Sequence, residues 1–406
     1  MPKTVVAVVR CPDYRPESLD RATERLQEFI GGFAALIKPN DSVFLKINHL
    51  GSHPPATAIN THPEVASSIA RSLSPITTNV VIGDGIESED PSPFETSGFS
   101  SVCLRDQLEL VNFARQGYVS IEVDAPYCLA RVPIARIVAQ ADFVVTVPKL
   151  KTHMLTLMTG AVKNGYGYLP QEVRTRLHRD HIRPTDFSGA VVDIFAACKP
   201  GFVVMDAIDA LEGSGPGTRG TPRHLGLLIA GRDAVAVDAV ASAIIGLDPM
   251  EVATTRLAHE RGLGMADLTE IEVVGTPIAE VRCADFARPG NRFLVGSVAE
   301  RMPRIATRVL SWVLGAGRER PRVLRQKCTG CGVCAQHCPE DAIEFAQGCA
   351  RINYDECISC FCCLEFCTQA AIRPQSSLAG SMLRMGMRTG VRAARRAGKV
   401  FSRRKP

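Results

Sequence analysis

The first 300 residues alternate short apolar runs, rich in β-branched residues, with longer segments of helical periodicity. The runs predict strands at residues 5–9, 43–46, 80–82, 143–147, 202–205, 225–229 and 271–274. The intervening segments predict helices at residues 16–36, 63–73, 156–163, 187–197, 234–245 and 250–261. Strands separated by helices are typical of an α/β fold with a mostly parallel sheet flanked by helices. Functional groups in such sheets collect beyond the carboxyl ends of the strands.

Polar residues follow several of these predicted strands closely. Lys46 and Asn48 end the second predicted strand, and Asp206 directly follows the fifth. The candidate substrate-binding residues are Lys46, Asn48, Asn164, Asp206 and Glu212, and the candidate catalytic residues are Lys149, Lys151, His153 and Lys163. Ammonium groups gathered at one edge of a sheet suit a carboxylate or a phosphate, and they polarise a carbonyl as negative charge develops on it. The sequence therefore predicts a site for an anionic small molecule, with ordinary surface lysines as the alternative.

Two other kinds of site compete for the same loops. The possible ligands of a single metal ion are His153, His178, Asp206 and Glu212. Their spacing matches no helix-borne histidine pair. The glycine-rich loop 213–220 would suit a nucleotide phosphate, but a predicted strand follows it where a phosphate-binding helix would be needed. A mobile lid is at least as good an interpretation of that loop, so these alternatives stay open.

Residues 1 to about 275 resemble a large prokaryotic family known as domain of unknown function 362, which is often fused to ferredoxin modules. The matching residues are Lys46 and Asn48, Thr61 and Pro63, residues 148–153, Lys163, Asn164 and Gly167, His178, Asp206, residues 212–216, and Val237 with Asp238. The resemblance implies a shared fold and a shared site. It implies no activity, because the family has none assigned.

Eight cysteines near the C-terminus form a second, stronger pattern. A C-x2-C-x2-C-x3-C run begins at Cys328 and is repeated 29 residues later, beginning at Cys357. The repeat extends beyond the cysteines, since the Ala-Ile pair at 342–343 recurs at 371–372. One supersecondary unit is therefore used twice, with a strand leading into each run and a short turn and helix leading out.

The segment 323–373 resembles a bacterial-type two-cluster ferredoxin domain, a small α+β fold. In that pattern three closely spaced thiolates bind one cluster and the fourth cysteine of the run ligates the other cluster. It predicts two 4Fe-4S clusters, the first held by Cys328, Cys331, Cys334 and Cys367 and the second by Cys357, Cys360, Cys363 and Cys338. Thr368 stands where a second proline is usual, and Cys349 and Cys362 are assigned no ligand role. A zinc ribbon would need two more widely separated C-x2-C pairs, and a disulfide framework would need an oxidising compartment.

Charge is unevenly distributed along the chain, whose net charge is +5. Residues 328–372 carry a net charge of −5, whereas residues 301–327 carry +7 and residues 373–406 carry +10.

We predict an α/β domain at 1–300, a basic amphipathic linker helix at 301–322, the ferredoxin-type domain at 323–373, and a basic tail at 374–406 that is disordered or bound to a surface. The basic segments 301–322 and 377–406 suit an anionic membrane surface. A solvated tail, a helix docked on the acidic α/β domain and nonspecific nucleic-acid contact are the alternatives, and no motif for specific nucleic-acid recognition is present.

The location and function that follow are expectations. Fifteen cysteines and no secretory signal favour a reducing cytoplasm, with the possibility of a peripheral position at the inner face of the membrane. The first functional hypothesis is a ferredoxin-coupled oxidoreductase. A redox partner protein or reductase would supply electrons, which the clusters would pass to an anionic small molecule or cofactor in the α/β domain. The second is a non-catalytic electron carrier or adaptor whose α/β domain binds a partner protein or a metabolite.

Overall fold

The computed structural model describes residues 3–86, 92–181, 183–289 and 319–375. The chain divides into two compact units, Met1–Gly296 and Ser297–Pro406. Most of the predicted linker helix, residues 301–318, and most of the predicted basic tail, residues 376–406, lie outside the described residues. Within the described ranges, no helix has both the length and the apolar character needed to cross a membrane.

The first unit is built on a ten-stranded sheet. Its strands are β1 Thr4–Arg10, β2 Val43–Ile47, β3 Val80–Asp84, β4 Glu109–Asn112, β7 Phe143–Val147, β8 Lys149–His153, β9 Leu157–Thr159, β10 Phe202–Gly213, β11 Gly220–Gly231 and β12 Ile271–Gly275. The strand order is β12-β1-β11-β10-β7-β2-β3-β4, and β8, which pairs with β9, is added beside β10. A separate hairpin joins β5 Tyr118–Glu122 to β6 Arg131–Ala135. Pairing is antiparallel at β1–β11, β10–β11 and β8–β9, and parallel at the other neighbours in the ten-stranded sheet. The predicted α/β class with a mostly parallel sheet is confirmed.

All seven predicted strands are present, but two of them are much longer than predicted. Strands β10 and β11 have 12 residues each and form one long antiparallel hairpin. The glycine-rich loop is therefore reduced to the hairpin tip at residues 214–219, which is neither a strand-to-helix turn nor an element of its own. Strand β8 was not predicted, because four of its five residues are polar or charged although all five are buried.

The helices of the first unit are α1 Pro16–Ile30, α2 Pro63–Leu73, α3 Ser92–Thr96, α4 Phe99–Arg105, α5 Arg136–Ala139, α6 Ala161–Asn164, α7 Gln171–Asp180, α8 Pro184–Ala197, α9 Ala234–Ile244, α10 Ala253–Glu260 and α11 Ile278–Val281. The predicted helix 16–36 stops at Ile30 because Gly31 turns into the left-handed region, with φ 83°. The predicted helix 156–163 is wrong: it is replaced by β9 and the short helix α6.

Helices cover both faces of the sheet, because successive side chains of β1 are buried alternately in two different cores. Val6 and Val8 face the core formed with α6, α8, α9 and α10. Ala7 and Val9 face the opposite core, which contains α1, α2 and α4. Successive side chains of a strand point to opposite faces, so a single strand contributes to both cores. This sandwich leaves the carboxyl ends of the parallel strands as the edge where polar groups can gather.

The second unit has the twofold internal repeat that the cysteine spacing predicts. Its elements are β13 Arg320–Val323, α12 Val333–Gln336, β14 Ile343–Ala346, β15 Cys349–Ile352, α13 Cys362–Glu365 and β16 Ile372–Gln375. Strand β13 pairs with β16, and β14 pairs with β15, so each two-stranded sheet joins one strand from each repeat. Residues 320–322, which we predicted as the end of the linker helix, instead form part of β13.

Backbone conformation repeats at the same 29-residue interval. Gly330 and Gly332 have φ values of 70° and 85°, and the equivalent Ser359 and Phe361 have φ values of 58° and 69°. A side chain in the left-handed region costs roughly 1–2 kcal/mol per residue. The second repeat carries that cost because the loop around its cysteines must adopt the same shape as the first, where glycine fills both positions.

Candidate functional site

Two buried ion pairs lie at the carboxyl ends of the parallel strands, and we call Lys46, Asp84, Lys149 and Asp206 together the strand-end layer. In the first pair, Lys46 Nζ lies 2.8 Å from Asp84 Oδ2, and the two side chains are 1% and 3% exposed. The Asp84 carboxylate also accepts hydrogen bonds from the backbone amides of His49, at 2.8 Å, and Gly85, at 2.7 Å. Burial lowers the pKa of Lys46 and raises the pKa of Asp84, while each partner opposes the other's shift.

The second pair joins Lys149 to Asp206, with Nζ 2.9 Å from Oδ2 and both side chains almost fully buried. The hydroxyl of Tyr14 accepts a hydrogen bond from Lys149 Nζ at 2.9 Å and donates one to Asp206 Oδ1 at 3.2 Å. Burial and the Asp206 charge raise the pKa of Tyr14, so the phenol keeps its proton. Tyr14 is stacked on His62, with ring centroids 3.7 Å apart. This half-buried aromatic stack lies next to the ion pair.

Lys151 and His153 are buried in strand β8, together with Lys149, where exposed loop positions were expected. Lys151 Nζ donates a hydrogen bond to the carbonyl of Ile59 at 2.7 Å. His153 Nδ1 accepts from the amides of Leu155 and Thr156 at 3.0 and 3.2 Å, which holds the turn into β9. The alternative of ordinary surface lysines is therefore wrong for Lys149 and Lys151, which lie on a buried strand.

Lys163 and Asn164 lie on α6, directly above the first ion pair. Asn164 Nδ2 donates to Thr146 Oγ1 at 2.7 Å and to the Lys46 carbonyl at 3.2 Å, and Asn164 Oδ1 accepts from Asn48 Nδ2 at 3.2 Å. Lys163 Nζ lies 5.0 Å from the centre of the Tyr166 ring. A Cβ at Gly167 would lie 2.9 Å from Lys46 Nζ and 3.0 Å from Asp84 Oδ1, so glycine is what allows this close approach.

The remaining candidates are placed elsewhere. The Glu212 carboxylate accepts a hydrogen bond from the Ala287 amide at 2.9 Å, which ties down a neighbouring segment. His178 packs between the rings of Tyr166 and Phe187, at centroid distances of 5.9 and 4.6 Å. Within residues 3–86, 92–181, 183–289 and 319–375, no group of three or more His, Cys, Asp and Glu side chains could hold a single metal ion. The mononuclear site that we considered is not assembled there.

Sequence reasoning missed several residues that build this site. Tyr14 and His62 were not singled out, although Tyr14 lies in the loop after the first predicted strand and His62 directly precedes a predicted helix. Asp84 ends β3 between two glycines, and that position was a usable signal. Asp238 was named only as part of the family resemblance; it lies in the mostly apolar helix α9 and accepts hydrogen bonds from the amides of Ala161, at 2.6 Å, and Val162, at 3.0 Å. Burial raises the pKa of Asp238 to about 7. Its role is to anchor α6, and hence Lys163 and Asn164, over the layer.

The eight cysteines of the two runs surround two cavities in the second unit. The lining of the first cavity includes three cysteines of the first run and the last of the second run: Cys328, Cys331, Cys334 and Cys367. The lining of the second includes Cys357, Cys360, Cys363 and Cys338. Burial and the nearby sulfurs of the first group raise the pKa of Cys334 to about 11.

Backbone amides point at the cysteine sulfurs in both repeats. The amides of Ala342 and Ala371 lie 3.3 Å from the Sγ atoms of Cys338 and Cys367, which are equivalent positions, and the Ala350 amide lies 3.4 Å from Cys328 Sγ. Amide donors of this kind stabilise sulfur that carries negative charge. Four thiols around each cavity, with donors already directed at the sulfur, are a donor set that fits a 4Fe-4S cluster.

Comparison with known proteins agrees with this two-part organisation. Residues 43–243 match the family described as domain of unknown function (DUF362), and residues 321–344 match the 4Fe-4S binding domain. A thylakoid-associated protein of Synechocystis sp. is 30% identical over 268 residues, which are 65% of this chain and 82% of the relative.

Two solved structures share a more distant likeness. The lactate racemase apoprotein from Thermoanaerobacterium thermosaccharolyticum has 14% identity and a TM-score of 0.36, over 55% of this chain and 54% of that one. A structural-genomics protein from Thermotoga maritima has 15% identity and a TM-score of 0.37, over 62% of this chain and 60% of that one. The chain thus spans less than two thirds of either solved protein. From its relative and its matched domains, this chain belongs to the DUF362 family and carries a 4Fe-4S binding domain in the same polypeptide.

Proposed function

We propose that this protein is an oxidoreductase that holds two 4Fe-4S clusters and uses their electrons to reduce an anionic small molecule or organic cofactor at the strand-end layer. A redox partner protein supplies one electron to each cluster. Two one-electron carriers in one chain can together deliver a two-electron reduction. Tethering the donor to the substrate-binding unit raises its effective concentration there.

The observation that carries the substrate class is an unsatisfied donor, the Arg174 Nε–H, near Lys46 and Asp84. Arg174 Nε and Asn48 Oδ1 are buried without a hydrogen-bond partner in the described part of the chain. Arg174 reaches the first ion pair through its hydrogen bond to the Gly85 carbonyl at 3.2 Å. Leaving such an atom unpaired costs about 1–3 kcal/mol. A bound ligand that accepts from the guanidinium would remove that cost for Arg174, and a carboxylate or phosphate is its usual partner.

Each residue around this position has a role that follows from its contacts. Lys46 is neutralised by Asp84, so this pair fixes the ends of β2 and β3, and the positive charge for the anion comes from Arg174. Arg174 orients the anion, and Asn164 fixes Asn48 and the end of β2 through its hydrogen bonds. When bound, the clusters supply electrons one at a time, and their eight thiol ligands come from the two runs described above. The second ion pair, with the Tyr14 and His62 stack, keeps the adjoining end of β8 rigid.

The proposal is tested with the full chain, reconstituted and reduced under anaerobic conditions. Loss of the reduced-cluster spectrum is followed after adding panels of carboxylates and phosphates, each beside its neutral analogue. We expect reoxidation by one class of anion and at least a tenfold slower rate in Arg174→Ala. The matched control is Arg131→Ala, because Arg131 is 72% exposed and pairs with Glu122. Reoxidation only by redox proteins would contradict the enzyme and favour the carrier or adaptor.

We also propose that the two basic segments, residues 301–322 and 377–406, hold the protein at an anionic membrane surface. Their charge supports this, as does the name of the thylakoid-associated relative. Basic residues near such a surface contribute about 1 kcal/mol each. Deletion of residues 377–406 is expected to leave the iron content unchanged and to abolish sedimentation with phosphatidylserine liposomes at low salt. Equal sedimentation of the deletion variant would refute the role of that segment.

A further inference from the structure

The 29-residue repeat relates the two cysteine cavities to each other position by position. Besides the cysteines, three equivalent pairs of lining residues keep their apolar character: Val323 with Ile352, Ala371 with Ala342, and Ile372 with Ile343. At three other equivalent pairs the chemistry changes from the first cavity to the second: Thr329 to Ile358, Gly332 to Phe361, and Gln369 to Glu340. Each cavity therefore serves as a reference for the other, and the three changed positions are where the two differ.

The second cavity is shielded from water better than the first. Phe361 is only 2% exposed, and the equivalent Gly332 has no side chain that could cover the first cavity. Cys331 in the first cavity is exposed, whereas the equivalent Cys360 is only partly exposed. The first cavity has an aromatic lining residue of its own, Phe345, but that side chain is 44% exposed. Water therefore reaches the first group of cysteines more readily than the second.

Phe361 occupies its position against a backbone preference. Its φ is 69°, in the left-handed region where Gly332 has φ 85°. A side chain in that region costs roughly 1–2 kcal/mol, and glycine avoids this cost because it has no Cβ. A strained residue that the fold retains is a reason to look for a role of its side chain. For Phe361 that role is to cover the second cavity.

Glu340 adds a negative charge to the second lining, where the equivalent Gln369 of the first is neutral and of similar size. Reduction adds one negative charge to a cluster, so a carboxylate beside it opposes reduction by Coulomb repulsion. Solvent exposure and net charge are among the factors that set the potential of such clusters, and a dry apolar shell disfavours added charge. The changes at Ile358, Phe361 and Glu340 therefore all act in the same direction.

We propose that Glu340, Ile358 and Phe361 hold the reduction potential of the cluster ligated in the second cavity below that of the cluster ligated in the first. The inference rests on the proposed pair of clusters. An electron that the redox partner delivers to the second cavity then passes to the first: one cluster is oxidised and the other is reduced by one electron, no bond breaks and no proton moves. The three residues thus set the direction of electron flow within the unit.

The test is a potentiometric titration of the full chain, reconstituted anaerobically and followed by paramagnetic resonance. We expect two one-electron steps in the wild type, separated by about tenfold or more in the reduction equilibrium; tenfold corresponds to 59 mV for one electron. Glu340→Gln should move only the lower step, to higher potential, by roughly threefold to tenfold. Gln369→Glu should move only the upper step, to lower potential, by a similar factor. Phe361→Gly should also raise the lower step, because it opens the second cavity to water.

The matched control is Glu344→Gln. Glu344 is exposed, directly follows the lining residue Ile343, and is not among the described lining residues of either cavity. Water and salt screen its charge, so we expect a shift of less than about twofold in either step. Iron per chain, measured in every variant, should equal that of the wild type.

The outcomes separate this inference from the function on which it rests. A single two-electron transition in the wild type would overturn the inference. So would a lower step that moves in neither Glu340→Gln nor Phe361→Gly, an upper step that moves in Glu340→Gln, or an equal shift in Glu344→Gln. Each of these results, with iron present, would leave the two clusters in place. Wild-type protein without iron would instead defeat the proposed function.

Discussion

Replacing Asp206 or Lys149 by alanine is expected to lower the free energy of unfolding of the α/β unit by about 3–5 kcal/mol, since either change leaves a buried charge without its partner. The Lys149–Asp206 pair is almost completely shielded from water. Asp206 also accepts a hydrogen bond from the His62 amide at 2.9 Å, so its loss would strand a backbone donor as well. Denaturant unfolding of the full chain, followed by circular dichroism, measures the change.

The matched control for this prediction is an ion pair that water can reach. Arg131 and Glu122 form a salt bridge at 2.8 Å with side chains 72% and 75% exposed. Such pairs contribute about 0–1 kcal/mol, so Arg131→Ala should change the unfolding free energy little. A double variant, Lys149→Met with Asp206→Leu, should be less destabilised than Asp206→Ala because no charge is left unpaired. Equal losses for Asp206→Ala and Arg131→Ala would contradict the assigned role of the pair.

The parts of the fold that could be predicted are those specified by local pattern. Helix α2 has the predicted bounds, 63–73, because its start is marked by Pro63 and its buried positions repeat with helical spacing. Strand β2 was predicted because all five of its residues are buried, which produces an apolar run interrupted only by Lys46. The helix predicted at 156–163 was wrong because the close approach of Gly160 to Asp238 decides the shape of that segment. Asp238 lies far away along the chain, so a local pattern does not reveal this contact.

Some parts of the site could likewise be predicted from local sequence, whereas others depend on contacts that only the folded chain creates. The resemblance to two-cluster ferredoxins predicts which cysteines are grouped, and the two cavities are lined by those groups. The lysines could be placed at strand ends, but the sequence does not show that Asp84 and Asp206 neutralise two of them. Tyr14 is 192 residues from Asp206 along the chain, and only the folded sheet brings their side chains together.

The prediction with the second large effect is the number of irons retained when two cysteines are replaced together. Under the proposed crosswise ligation, Cys328 and Cys367 hold the same cluster, whereas Cys357 and Cys367 hold different ones. The double variant Cys328→Ala with Cys367→Ala should therefore lose one cluster and keep about four irons per chain. The double variant Cys357→Ala with Cys367→Ala should lose both clusters. Both variants remove two ligands, so the comparison is matched for the number of substitutions and for the loss of thiols.

Iron and acid-labile sulfide per chain, measured on anaerobically reconstituted wild type and these two double variants, test the whole account most directly. We expect about eight irons in the wild type, about four in Cys328→Ala with Cys367→Ala, and almost none in Cys357→Ala with Cys367→Ala. The reverse order of the two variants would mean that each run binds its own cluster. Zinc without iron in the wild type would mean that the cysteines bind no 4Fe-4S cluster. The proposed electron transfer would then be contradicted.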